Sequence, residues 1–144
     1  MPKISGNVVL ACSKERAFSE ISSIDFAEKM DLTFGSPQKE ILFHNERLLR
    51  TITKVPAVGN VDMERIYIPE RFTIISLRRS PMLPFTYFVG LQMLSDHEAG
   101  ALLEWVAEFG IDAENASKEE GILAGLEKHE VLQFEKVRSY FKAL

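Results

Sequence analysis

Apolar positions along this chain change their period three times, and each change predicts an element boundary. From Ile4 to Cys12 the apolar and β-branched residues Ile4, Val8, Val9 and Leu10 alternate loosely, which predicts a first strand. Ser13 then stands where an N-cap belongs. Ala17, Phe18, Ile21, Ile24 and Phe26 follow at spacings of three and four, so the stretch Ser13 to Met30 reads as two short helices meeting near Ser22-Ser23. Gly35-Ser36-Pro37 closes this region as a turn.

From Lys39 to Phe109 the pattern falls back to strand spacing. Lys39–Asn45, Leu48–Lys54, Val61–Ile68, Phe72–Arg78, Thr86–Leu94 and Ala101–Phe109 are short Val/Ile/Thr/aromatic runs, with turn residues at 56–60, 69–70, 81–84 and 95–100. The connections are too short for parallel crossovers, so the expected arrangement is an antiparallel meander. Ser117 with Glu120 reads as a capping box, and Ile122, Leu123, Leu126, Phe134, Val137 and Phe141 then give one face of a long helix from Lys118 to Lys142. The predicted fold is α+β: seven antiparallel strands curved around a long C-terminal helix, with two short helices between strands 1 and 2. A strongly bent sheet cannot lie flush on a straight rod, so a cavity is expected between them.

Composition narrows the partners. The 144 residues, 46% of them hydrophobic, make a single domain, 1–144, able to bury about 68–70% of its unfolded surface without metal or disulfide. With 17 Lys+Arg against 21 Asp+Glu the net charge is −4, and the one basic cluster, Arg78-Arg79, reads as solvated surface, so nucleic acid is not an expected partner. No apolar run reaches the 18 residues a membrane span needs. A lone cysteine, Cys12, and no signal-like stretch after Met-Pro-Lys-Ile point to a reducing, cytoplasmic setting.

The order of elements resembles the START-like, or SRPBCC, helix-grip superfamily, and within it polyketide cyclase/dehydrase-type proteins. The resemblance rests on Ser13-Lys14-Glu15-Arg16-Ala17-Phe18, on Met63 to Phe72, on the strand Gly100 to Phe109 and on the helix ending Phe134–Phe141. It implies a deep apolar cavity that takes a small hydrophobic or aromatic molecule, and it leaves a homodimer open. The stretch from Lys54 to Val89 is also similar in spacing to the abscisic acid receptors, which would put Val55–Asn60 and Ser80–Phe85 at the pocket mouth. Both loops depart from the receptor motifs, so the receptor function is not carried over.

Strand parity selects the candidate chemistry. In Thr86–Leu94 the pocket-forming set is expected to be Tyr87, Val89, Leu91 and Met93. Patterning in Ala101–Phe109 favours Leu103, Trp105, Ala107 and Phe109 inward over Leu102, Glu104, Val106 and Glu108. Glu64 shares a face with Ile66 and Ile68 and would be a carboxylate raised toward neutral pKa by desolvation; the opposite parity would turn Met63 and Tyr67 inward instead. The resemblance adds a matching pocket Glu in the receptors. Glu64 and Tyr87 are therefore the acid/base candidates. Thr51, Thr53, Ile66, Ile75, Leu77, Val89, Leu91, Trp105, Phe109, Ile122 and Leu126 are the expected ligand-lining residues. Arg50 could point either way and Arg79 would stand near the mouth, each able to meet an anionic group.

No cofactor is implied. His44, His97 and His129 show no ligand spacing for a metal, and no Gly-x-Ser-x-Gly nucleophile elbow occurs. Three functions remain: cyclisation or dehydration of a polyketide-like substrate, a non-catalytic carrier or sensor of apolar ligands, and a co-chaperone-like interaction module.

Overall fold

A computed structural model describes residues 3–29, 38–55, 59–79 and 85–142. Among these, the chain forms seven strands: β1 (Lys3–Leu10), β2 (Gln38–His44), β3 (Leu48–Val55), β4 (Gly59–Ile68), β5 (Thr73–Arg78), β6 (Phe85–His97) and β7 (Gly100–Ile111). The α-helices are α1 (Lys14–Ile21), α2 (Ile24–Lys29) and α3 (Glu119–Lys142). The expected turn at 35–37 and the hearts of both mouth loops, 56–58 and 80–84, lie outside the described residues.

Local chemistry explains most boundaries. Ser13 caps α1 by accepting the Arg16 amide at 3.2 Å, and the pair Ser22-Ser23 separates α1 from α2 as the spacing predicts. Two boundaries differ from the sequence pattern. β6 and β7 run on into a tight turn at Glu98-Ala99, because Gly100 takes the φ of +139° that the turn requires. Ser117 sits inside a 3-10 segment, Ala113–Lys118, that leads into α3, rather than capping it.

The sheet is antiparallel in the order β1-β7-β6-β5-β4-β3-β2. Every connection is a hairpin except the first, where α1 and α2 carry the chain from one edge to the other. Cross-strand neighbours share a face, so the register assigns each side chain. The rows Tyr67–Ile74–Gln92–Trp105–Gly6 and Arg65–Ser76–Gly90–Ala107–Ile4 lie on the side that meets α3. The row Ile66–Ile75–Leu91–Val106 lies on the other.

Two apolar clusters hold α3 and the short helices to the inner side. One joins Val8, Leu10, Phe18, Ile21, Phe26, Tyr67, Ile74, Leu94, Leu103 and Val137 at the α1/α2 end. The other joins Ile4, Val61, Phe85, Ala107 and Phe109, with Ile122, Leu123 and Leu126 of α3 packed on it. Polar ties close the first end: His44 Nε2 donates to the Ser22 carbonyl at 2.9 Å, and the Tyr140 hydroxyl to Glu20 Oε2 at 3.1 Å. Where α3 crosses β1, Gly6 is needed. A Cβ there would overlap the Glu130 carboxyl and stand 2.6 Å from the Phe134 ring.

The Gly100 turn yields a stability prediction. A Cβ on Gly100 would overlap the Leu10 carbonyl oxygen, and φ is +139°. Gly100→Ala should therefore cost about 1–3 kcal/mol in urea denaturation; an unchanged midpoint would contradict the geometry.

Candidate functional site

On the inner side, around the buried members of the second cluster, apolar and polar side chains mix. Met63, Arg65, Ser76, Arg78, Phe88, Gln92 and Trp105 on the sheet, and Ile122, Leu123, Leu126 and His129 on α3, all keep part of their surface accessible. The core members of both clusters are almost fully buried, Ala107 and Phe109 of the second as completely as Leu10 and Ala17 of the first. Partly accessible side chains thus stand on both sides of the space between β4–β7 and the first half of α3, over the buried Phe85, Ala107 and Phe109.

The floor of that space carries charge. Arg65 donates from Nη2 to Gln92 Oε1 at 2.8 Å and from Nε to Ser76 Oγ at 3.3 Å. Both partners are neutral, and among the described residues no carboxylate meets this guanidinium. Burial lowers its pKa, partly offset by Tyr67. Two positions along the same strand face, Tyr67 is only 1% exposed, and its hydroxyl has no hydrogen-bond partner among the described residues. Burial raises the pKa of that phenol.

A second cation stands one strand over. The Arg78 guanidinium lies 4.7 Å from the centre of the Phe88 ring and 5.6 Å from that of Phe85, and burial pushes its pKa down to about 10. Phe88 in turn stacks on Phe109 at 5.8 Å. From the helix side His129 is shifted down by burial, then by Arg78 and Lys136. Thr51 and Thr53 are buried on the inner side of β3, next to Met63 and Val61.

The structure divides the expected residues in two. Thr51, Thr53, Trp105, Phe109, Ile122 and Leu126 come together on the inner side as expected. Glu64, Ile66, Ile75, Leu77, Tyr87, Val89 and Leu91 lie on the outer side. Glu64 accepts from Arg79 Nη1 at 2.8 Å and its side chain is 18% exposed, so it is an ion-paired surface carboxylate. Tyr87 is 36% exposed, and its pKa is raised by burial and then by Glu108, its hydrogen-bond partner on the same outer face. The acid/base pair expected from parity is thus turned away from the cavity. Met93, also expected inward, borders an open depression of about 290 Å³ with Ser5, Asn7, Glu104 and Val106 on the outer side.

Parity failed for an identifiable reason. On β5 and β6 the outer set is the more uniformly apolar one, and on β4 Ile66 and Ile68 put apolar residues on the outer face beside Glu64. The inner set of β6 is Phe88, Gly90, Gln92 and Leu94; a glycine and a glutamine made it look like the solvent side. Arg78, expected on the surface, faces inward for the same reason. The readable signal was a polar residue at paired inner positions of two neighbouring strands, Arg65 and Ser76, with Gln92 one step along the inner face of the third. Arg50 points outward to Asp62 at 3.3 Å, and Arg79 is half-exposed against Glu64.

Among the described residues no group of three or more His, Cys, Asp and Glu is placed to hold a metal, and no helix is long and apolar enough to cross a membrane. No protein-family model matches the chain, and no curated protein matches its sequence. Solved structures do match. The Zhui aromatase/cyclase from Streptomyces sp. R1128 superposes with a TM-score of 0.79 at 13% identity, over 98% of this chain and 93% of that one. TTHA0849 from Thermus thermophilus gives 0.76 at 11% identity, over 99% and 98%. Truncated norcoclaurine synthase from Thalictrum flavum gives 0.72 at 15% identity, over 94% and 92%. At such identities the likeness concerns the fold, and it runs nearly end to end. In architecture the chain is a helix-grip protein, as the order of its elements implied.

Proposed function

We propose that this protein binds a small, largely apolar molecule bearing a carbonyl, enolate or carboxylate oxygen, in the space between β4–β7 and the first half of α3. The observation that carries the reading is Arg65: a half-buried cation on the inner side, held by two neutral groups, beside the buried, unpartnered hydroxyl of Tyr67. A partly desolvated charge without a counter-ion and a buried orphan donor are both costly unless something completes them. An oxygen on a ligand completes both, while Trp105, Phe88, Phe109, Ile122 and Leu126 offer its body an apolar wall.

The same geometry supports catalysis. A guanidinium in a water-poor space favours the form of a carbonyl that carries negative charge on oxygen, which is what enolisation, and hence cyclisation or dehydration of a poly-ketone, requires. Two of the similar structures carry enzyme names, an aromatase/cyclase and a synthase, which supports this reading. Arg65 replaces Glu64 and Tyr87 as the group doing the chemistry. The rival is a carrier that uses Arg65 for recognition alone, and retention of a ligand in native mass spectrometry without turnover of poly-ketone substrates would favour it.

Two measurements follow. Arg65→Met should weaken binding of the apolar anion 8-anilinonaphthalene-1-sulfonate about tenfold, the worth of a charge-assisted hydrogen bond, whereas Glu64→Gln should leave it unchanged; the reverse pattern would sink the assignment. Tyr67→Phe should raise the stability of the ligand-free protein by about 1 kcal/mol, since it removes an unsatisfied buried hydroxyl. A loss of stability instead would mean that the hydroxyl is already satisfied.

A further inference from the structure

Resting on the ligand site just described, we propose that the Glu130 carboxyl is its second polar anchor, meeting the bound molecule from the helix side while Arg65 meets it from the sheet side. Glu130 is 7% exposed, the only carboxylate among the buried described residues. It sits in the middle of α3, on the strip that faces the sheet, one turn after Leu126 and one before Phe134. Its oxygen occupies the space left by the missing side chain of Gly6, which is the register neighbour of Trp105. Trp105 in turn packs edge-on against Phe134 at 6.2 Å and lays its indole nitrogen over Gly90. The carboxyl therefore stands at the β1 end of the row Gly6–Trp105–Gln92–Ile74–Tyr67, two strands from the Gln92 oxygen that holds Arg65.

Nothing among the described residues hydrogen-bonds it. The inner side chains of β1 and β7 near it carry no titratable group: Ile4, Val8 and Leu10 on one, Leu103, Trp105, Ala107 and Phe109 on the other. The titratable groups around the space are Arg65 and Tyr67 on β4, Arg78 on β5, and Glu127 and His129 on α3 itself. Burial, then Glu127, raises the Glu130 pKa. A carboxyl so placed holds its proton above the ordinary carboxylate range and can donate it to a ligand oxygen; once ionised, it repels an anion.

The sign of the pH effect follows. Affinity for 8-anilinonaphthalene-1-sulfonate should be highest at low pH, where Glu130 is neutral, and should fall about tenfold as pH rises through the raised pKa of Glu130 and a like charge appears beside the probe. Glu130→Gln keeps the shape and a donor without the charge, so its affinity should stay flat, with circular dichroism and melting temperature confirming the fold. Equal pH slopes in wild type and Glu130→Gln, with binding still lost in Arg65→Met, would overturn the Glu130 anchor alone and assign the slope to His129. Absence of probe binding by the wild type at every pH would overturn the ligand site itself, and the anchor with it.

Discussion

Everything in this molecule depends on how an open antiparallel sheet hides its inner side. The sheet has two free edges and one helix, α3, long enough to reach across it. Twenty-four residues at 1.5 Å per residue make a rod of about 36 Å. A rod covers a strip. At the α1/α2 end the two short helices complete the cover, and Phe18, Ile21, Phe26 and Val137 are buried there with Leu10, Tyr67 and Ile74. Toward the other end α3 alone faces β4 to β7, so side chains on both walls stay partly accessible.

The placement of charge follows from that uneven cover. Buried ionisable groups are expensive, and a fold keeps them where they are completed or where completion arrives with a ligand. On the outer side Arg50 pairs with Asp62 and Arg79 with Glu64. On the inner side Arg65 rests on an amide oxygen and a hydroxyl, the Arg78 guanidinium lies over two aromatic rings, and Glu130 stands against a glycine.

The outer side explains what sequence patterning missed. An antiparallel sheet with one solvated face usually alternates apolar and polar residues. Here Ile66, Ile75, Leu91 and Val106 form an apolar row across four strands of the outer face, each partly shielded by its neighbours. Hydrophobicity then no longer distinguishes the faces, and a functional interior that carries Arg, Ser and Gln looks like the exterior. A bulge between Phe85 and Tyr87 adds a break in parity at the start of β6.

The sequence by itself determined the order of the elements, the helix junction at Ser22-Ser23, the meander and the amphipathic α3, because these depend on periodicity and on turn and capping chemistry between near neighbours. It also favoured the inward set of β7, Leu103, Trp105, Ala107 and Phe109, over the alternating set that holds two glutamates, and the register settled the choice. Only the tertiary structure decided which face of β4, β5 and β6 meets α3. That choice is made by register across strands far apart in sequence: β1 pairs with β7, and this places Gly6 beneath Glu130. The same register turned Glu64 and Tyr87 outward and brought Arg65, Tyr67 and Arg78 to the side that meets α3, because one residue's shift in parity exchanges the two faces of a strand.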